Sequence, residues 1–238
     1  MKEGQLEETS YYYPAADIRE FVRGLPVIDA HEHIIPKLPK KRYMIMTHDD
    51  SFDWEMFDKE RAAGFESTWF LLPDEVTEYT PKDADIQLHF DKSWGPLYMQ
   101  KERFTDLGFN PTSCRIHRLF WRSDNYDFPL LAMNGFNIDT SRIGGRPYFP
   151  VIFSRMIPIL EIPIIVADRP NNYITLWTPA DNMESVFKCG YGPVMVLAHP
   201  TDVCIDRNMV SCFEETVRMA DKYGYKIVSL RQYMGLIK

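Results

Sequence analysis

Short apolar runs of β type alternate along this chain with amphipathic helical stretches, and that alternation limits the fold more than any other feature. The runs fall at residues 27–30, 43–47, 67–72, 85–90, 113–117, 157–166, 194–198 and 226–230. Helical patterns lie at 15–25, 53–63, 97–107, 128–134, 179–187 and 210–223. Short connections between unlike elements predict parallel strands crossed over by helices. Several runs are apolar throughout, as strands are when both faces of a sheet are covered. Gly64 after "DKERAA" and Gly224 after "ADKY" stand where left-handed C-caps end helices. Asp50 or Ser51 is placed to cap the helix that follows. The expectation is an α/β fold in one domain over residues 1–238, with 1–14 an irregular arm and 139–155 a long surface loop rich in Gly, Pro and Arg.

Composition bounds what such a fold can do. With 45% hydrophobic and 14% aromatic residues, 238 residues can bury a sizeable core. Net charge is −7, and the short basic stretch "PKLPKKR" reads as a solvated turn, so nucleic acid is not an expected partner. Four cysteines without a CxxC read as reduced thiols. The polar, acidic beginning lacks the apolar segment of a signal peptide, and no apolar run reaches the ~18 residues of a membrane span. A soluble, cytoplasmic protein is expected.

The six histidines share one kind of place. His31 and His33 follow the run at 27–30, His48 follows 43–47, His89 sits within the end of 85–90, His117 closes 113–117, and His199 follows 194–198. A single histidine there reads as a hydrogen-bonded structural residue. All six together point to the strand C-terminal face, where parallel α/β folds build their sites, and imidazole is the commonest protein metal ligand. Asp49 and Asp50 follow His48 directly, as Glu32 lies between His31 and His33. Adjacent carboxylates at a strand end can divide two tasks, holding a metal and taking a proton from water.

The stretch "YMIMTHDDSFDWEMFDKERAAGFESTWFLL" resembles the opening of the NodB-type polysaccharide deacetylases, carbohydrate esterase family four and its relatives. "DADIQLHFD", "CRIHRLFW" before "MNGFNIDTS", "ILEIPI", "MVLAHP" and the C-terminal "FEETVRMADKYGYKIVSLRQY" resemble further motifs of that family, in order, from about Lys41 to the end. The resemblance implies a distorted (β/α) barrel, mainly of parallel strands, that hydrolyses an acyl group, usually acetyl, from a carbohydrate. It implies Asp49 as general base, Asp50 and His89 as metal ligands, Arg115 as the group that orients the base and His199 as general acid. The implied cofactor is a divalent metal, Zn²⁺ or similar.

Three positions depart from the family pattern. The second metal histidine is Ser93 here, the Gly after the acid pair is Ser51, and the Phe before it is His48. Asp91, His117, His31 or His33 could complete the ligand set, since catalytic zinc normally takes three protein ligands. Trp94 and Trp121, which follow site strands, are candidates to line a sugar pocket, whereas Trp69 reads as core. Two other readings stay open. "DAHEH" at 29–33 resembles the first-strand metal motif of amidohydrolases, and a deacetylase-like barrel could bind carbohydrate without catalysis. A substrate that feeds surface-polysaccharide synthesis would suit a cytoplasmic enzyme.

Overall fold

The computed structural model describes residues 33–152, 155–167, 181–190, 192–200 and 207–237. The expected strand at 27–30, the helix at 15–25, the arm at 1–14, and His31 and Glu32 lie outside the described residues. In chain order the elements are β1 (His33–Ile34), β2 (Tyr43–Asp49), α1 (Trp54–Ala62), β3 (Thr68–Leu71), β4 (Asp85–Phe90), α2 (Leu97–Asp106), β5 (Ser113–Ile116) and α3 (Asp124–Met133). They continue with β6 (Ile138–Asp139), β7 (Phe149–Ile152), β8 (Arg155–Met156), β9 (Leu160–Glu161), β10 (Ile164–Ala167), α4 (Asp181–Lys188), β11 (Val194–Ala198), α5 (Arg207–Lys222), β12 (Lys226–Val228) and α6 (Leu230–Met234).

Among the described residues one sheet has nine strands, in the order β10-β11-β2-β3-β4-β5-β6-β9, with β12 also paired to β2. Every pairing in it is parallel. One edge of β2 is shared lengthwise: β12 takes Tyr43 to Ile45 and β3 takes Thr47 to Asp49. An isolated parallel bridge joins Ile143 to Ile164. Backbone hydrogen bonds of 2.8 Å flank it, Gly144 N to Ile164 O and Ile164 N to Arg142 O. That bridge ties the β6 side of the sheet back to β10, so the sheet curls into a distorted barrel.

Strand periodicity sorts the side chains into two layers. Tyr43 and Ile45 of β2 pack inward with Phe70, Met195, Leu197 and Val228. Met44 and Met46 pack outward against Phe187, Met219 and Ala220 of the covering helices. A second outer cluster places Trp69, Leu88 and Ile116 against Phe57, Phe104 and Phe128 of α1, α2 and α3. Both faces of β2 are therefore buried over its whole length, which is why it reads as an unbroken apolar run.

The barrel's other end is plugged by α6, whose first turn docks on buried acceptors. Leu230 N donates to Thr68 Oγ1 at 2.7 Å and Arg231 N to Asp85 Oδ2 at 2.9 Å. No described helix is long and apolar enough to cross a membrane.

Some expected boundaries move, for local reasons. The helix after β2 is capped by Asp53, whose Oδ1 accepts from Met56 N at 2.8 Å, rather than by Asp50 or Ser51. The run at 157–166 is two strands, because Pro163 brings no N–H to a ladder. The strand at 226–230 stops at Val228, where Ser229 and Gln232 form a capping box that opens α6. The segment 139–155 is not simply a loop. It holds β7, which pairs antiparallel with β1 and β8 in a small three-stranded sheet.

Candidate active site

The alternation that faces Ile45 inward also faces Thr47 and Asp49 inward, at the C-terminal end of β2. Arg115 reaches them from β5, two strands further along the sheet from β3. Its Nη1 donates to Asp49 Oδ1 at 2.5 Å and to Thr47 Oγ1 at 2.9 Å, and its Nε donates to Thr140 Oγ1 at 2.9 Å. The guanidinium is fully buried and lies 4.3 Å over the Phe70 ring. Such a charge is held inside a protein only with a partner of opposite sign and full hydrogen bonding. Asp49 is that partner. The contact fixes Oδ1 and leaves Oδ2 turned toward His89, whose Nε2 is 3.7 Å away.

Asp50 turns the other way because its backbone leaves the strand. Its φ of 57° is in the left-handed region, which aspartate tolerates better than most residues. Ser51 N then donates to Glu75 Oε1 at 2.9 Å and pins the turn. Asp50 Oδ1 comes within 3.0 Å of His89 Nδ1, so the His89 ring lies between two carboxylates. Neither approach has hydrogen-bond alignment: Asp50 Oδ1 and both ring nitrogens of His89 are buried without a hydrogen-bond partner. Burial raises the Asp50 carboxyl, but contact with His89 and the fields of His89, His199 and His117 outweigh it. Asp50 therefore titrates below the usual carboxylate range.

His117 and His199 complete this surround. His117 follows β5, and its ring centroid is 4.9 Å from that of His89. Its Nδ1 is bonded at 2.6 Å to Asp91 Oδ2, while Ser93 donates through N and Oγ to Asp91 Oδ1, each at 2.8 Å. Against the opposing effect of burial, these contacts hold Asp91 down at about 2. His199 stands one residue past Ala198, which pairs with His48 in register, and has the inward parity of Leu197.

A second pair of buried acids lies on the strands beyond β5, with the outward parity of Cys114. Asp139 and Glu161 are register partners on β6 and β9. Asp139 accepts from Ser141 Oγ at 2.8 Å and Ser141 N at 3.0 Å, shaping the turn that presents Thr140 to Arg115. Burial raises both carboxyls. It raises Glu161 well above the ordinary glutamate range, with the Asp139 charge acting in the same direction.

Not every expected site residue is gathered here. His48 has the outward parity of Met46. It is fully buried in the helix layer, where Nε2 contacts Glu60 Oε1 of α1 at 2.6 Å and the ring packs 4.3 Å from Trp69. Trp121 is committed to structure, with Nε1 donating to Asp124 Oδ1 at 2.7 Å and its ring set edge-on to Phe128. Trp94 is half-exposed at the end of the turn after β4. His33 sits in the small antiparallel sheet, stacked on Tyr148 at 4.0 Å. His31 and Glu32 lie outside the described residues. Trp54, Glu75 and Tyr79, which line a cleft that begins at Ser51, were not singled out by the sequence. Trp54 opens a helix and Tyr79 sits in a loop, so strand-end reasoning does not reach them.

The donors present fit part of a divalent-ion site. Buried, unpartnered polar atoms in a folded protein call for an explanation, and an ion between them is one. Asp50 and His89 supply an oxygen and nitrogen of the type zinc takes. Among the described residues no three His, Cys, Asp or Glu side chains are already clustered to hold an ion.

No protein-family profile matches the chain, and no curated protein matches it by sequence. Solved structures do. A peptidoglycan N-acetylglucosamine deacetylase, solved in complex with a naphthyl N-hydroxybenzamide, superposes with TM-score 0.50 at 13% identity, covering 93% of this chain and 97% of its own. A family 4 carbohydrate esterase from Streptomyces lividans, in complex with acetate, gives TM-score 0.47 at 12% identity, with coverages of 79% and 91%. A protein described as a polysaccharide deacetylase involved in O-antigen biosynthesis, from Bordetella bronchiseptica, gives 0.44 at 14%, with coverages of 81% and 88%. The first of these likenesses establishes the fold: the chain has the distorted (β/α) barrel of the polysaccharide deacetylases.

Proposed function

We propose that this chain is a divergent NodB-like deacetylase, a hydrolase that removes an acetyl group from an N- or O-acetylated carbohydrate. The observation that carries the reading is the buried Arg115–Asp49 pair facing a His89 ring whose nitrogens have no hydrogen-bond partner. It is a general-base geometry beside side chains of metal-ligating type, at the face where parallel barrels do chemistry. Asp50 and His89 would hold a divalent ion, Zn²⁺ or similar, and His117 is the third ligand we assign, with Asp91 holding its Nδ1 and so fixing the ring. Such an ion supplies a polarised acyl oxygen and water made acidic enough to lose a proton near neutral pH.

The chain's own groups do the rest. Arg115 holds Asp49 by Oδ1, so that Oδ2 is aimed to accept a proton from the attacking water. His199, just past the end of β11 beside β2, donates a proton to the departing amine or alcohol. Both groups come from the ends of strands, so their separation is set by the sheet rather than by loops. An acetylated sugar precursor inside the cell, destined for a surface polysaccharide, is the substrate setting we favour.

Metal analysis tests the ligand set. Protein purified without chelators should carry about one divalent ion per chain. Asp50→Ala and His89→Ala should each lose it, and Asp91→Asn should weaken binding about 10- to 100-fold. Full occupancy surviving both alanine changes would refute the assignment.

A further inference from the structure

Glu75, in the loop after β3, gives one carboxylate oxygen to each of two backbone amides. Oε1 accepts from Ser51 N at 2.9 Å, in the turn after β2, and Oε2 accepts from Leu72 N at 2.7 Å, just past β3. We propose that Glu75 is the positioning residue for Asp50: by clamping this turn to the end of β3, it sets where the Asp50 carboxylate stands toward the ion. The inference rests on the ligand assignment in the deacetylase reading above.

The Ser51 N–H belongs to the peptide unit that leaves Asp50, so holding it fixes the ψ of Asp50. With its φ of 57°, Asp50 is in the left-handed region, where a residue with a Cβ stays only if its surroundings over-determine it. The outcome is a carboxylate aimed at His89, with Oδ1 3.0 Å from Nδ1. The support behind it is itself braced. Glu75 N donates back to Leu72 O at 3.1 Å and closes a tight turn. The next residue, Val76, is fully buried in the outer cluster of the core. Arg103 Nε of α2 donates to Pro73 O at 2.5 Å, tying the loop to that helix. A site held by locked supporting groups keeps its geometry better than one left to a free loop. The side chain must be a carboxylate. An amide has a single acceptor oxygen and would turn its NH₂ group on the other backbone N–H.

The test titrates the full chain with Co²⁺, whose visible bands report the arrangement of its ligands. Glu75→Gln keeps the size of the side chain and loses one acceptor. It should bind Co²⁺ about 10- to 100-fold more weakly than wild type, with shifted bands, the scale at which a group behind a ligand acts. Glu75→Ala, which loses both acceptors, should bind it more weakly still. In both metal-free variants the Ser51 amide should exchange its proton with solvent faster than in wild type. Thr80→Ala removes the acceptor of Thr77 N in the same loop. It should leave Co²⁺ affinity and bands unchanged, which separates the clamp from a general loosening of the loop. Unchanged affinity and bands in Glu75→Gln and Glu75→Ala would overturn the inference, as would an equal loss in Thr80→Ala. Wild type that binds no Co²⁺, while Ser51 exchange still responds to Glu75→Gln, would sink the ligand assignment and leave only the clamp on the turn.

Discussion

His48 and His89 lie near the ends of β2 and β4, which flank β3 in the same sheet, and differ by one step of strand parity. His89 points into the barrel between Asp49 and Asp50. His48 points out, where Glu60 binds it while also accepting from Ser67 Oγ. The consequence is that the two histidines should fail differently. His48→Ala leaves the Glu60 carboxyl buried with one partner fewer, and should cost about 1–3 kcal/mol in stability. Bound divalent ion per folded chain should not change. Urea denaturation alongside metal analysis separates the effects, and loss of the ion in His48→Ala would place His48 in the site after all.

At the scale of elements, the strands that carry chemistry were legible because two-sided burial makes them unbroken apolar runs. The run at 85–90 and that at 194–198 match β4 and β11 to the residue. Facing was harder to read. An apolar run shows no alternation to say which side is inward, so His48 could not be told from His89 by its strand position alone. Short strands such as β7 escaped notice because glycine and proline around them look like loop. The Asp139–Glu161 pair escaped because its meaning lies in the pairing of β6 with β9, a contact that sequence order does not reveal. That pair makes its own prediction. Below the ordinary glutamate value of ~4.3, Glu161 is protonated in folded and unfolded chains alike. Above it the unfolded chain releases the proton and the folded chain keeps it, so stability falls as pH rises toward the raised folded value. The slope can reach about 1.4 kcal/mol per pH unit. Glu161→Gln keeps the shape and has no proton to lose, so its melting temperature relative to wild type should climb as pH rises from 4 to 8. A flat difference over that range would show that Glu161 does not hold the proton.

Across the whole molecule, α6 plugs one end of the barrel and the polar groups gather at the other. Asp49, His89 and Arg115 come from three strands of one parallel sheet, with Asp50 in the turn that leaves β2, so their spacing is set by the fold. The likeness to a deacetylase of known structure extends over 93% of the chain, which leaves little room for a different architecture around the site. We propose that Asp49, held by Arg115, takes the proton of an attacking water. It is tested most directly by acetate release from N-acetylchitotriose and from an O-acetylated xylo-oligosaccharide, with zinc supplied, comparing wild type with Asp49→Asn. Acetate should be released from at least one of these substrates, with a fall of about 10²- to 10⁴-fold in kcat for the variant, as loss of a general base brings. An Asp49→Asn protein that releases acetate at the wild-type rate would contradict it.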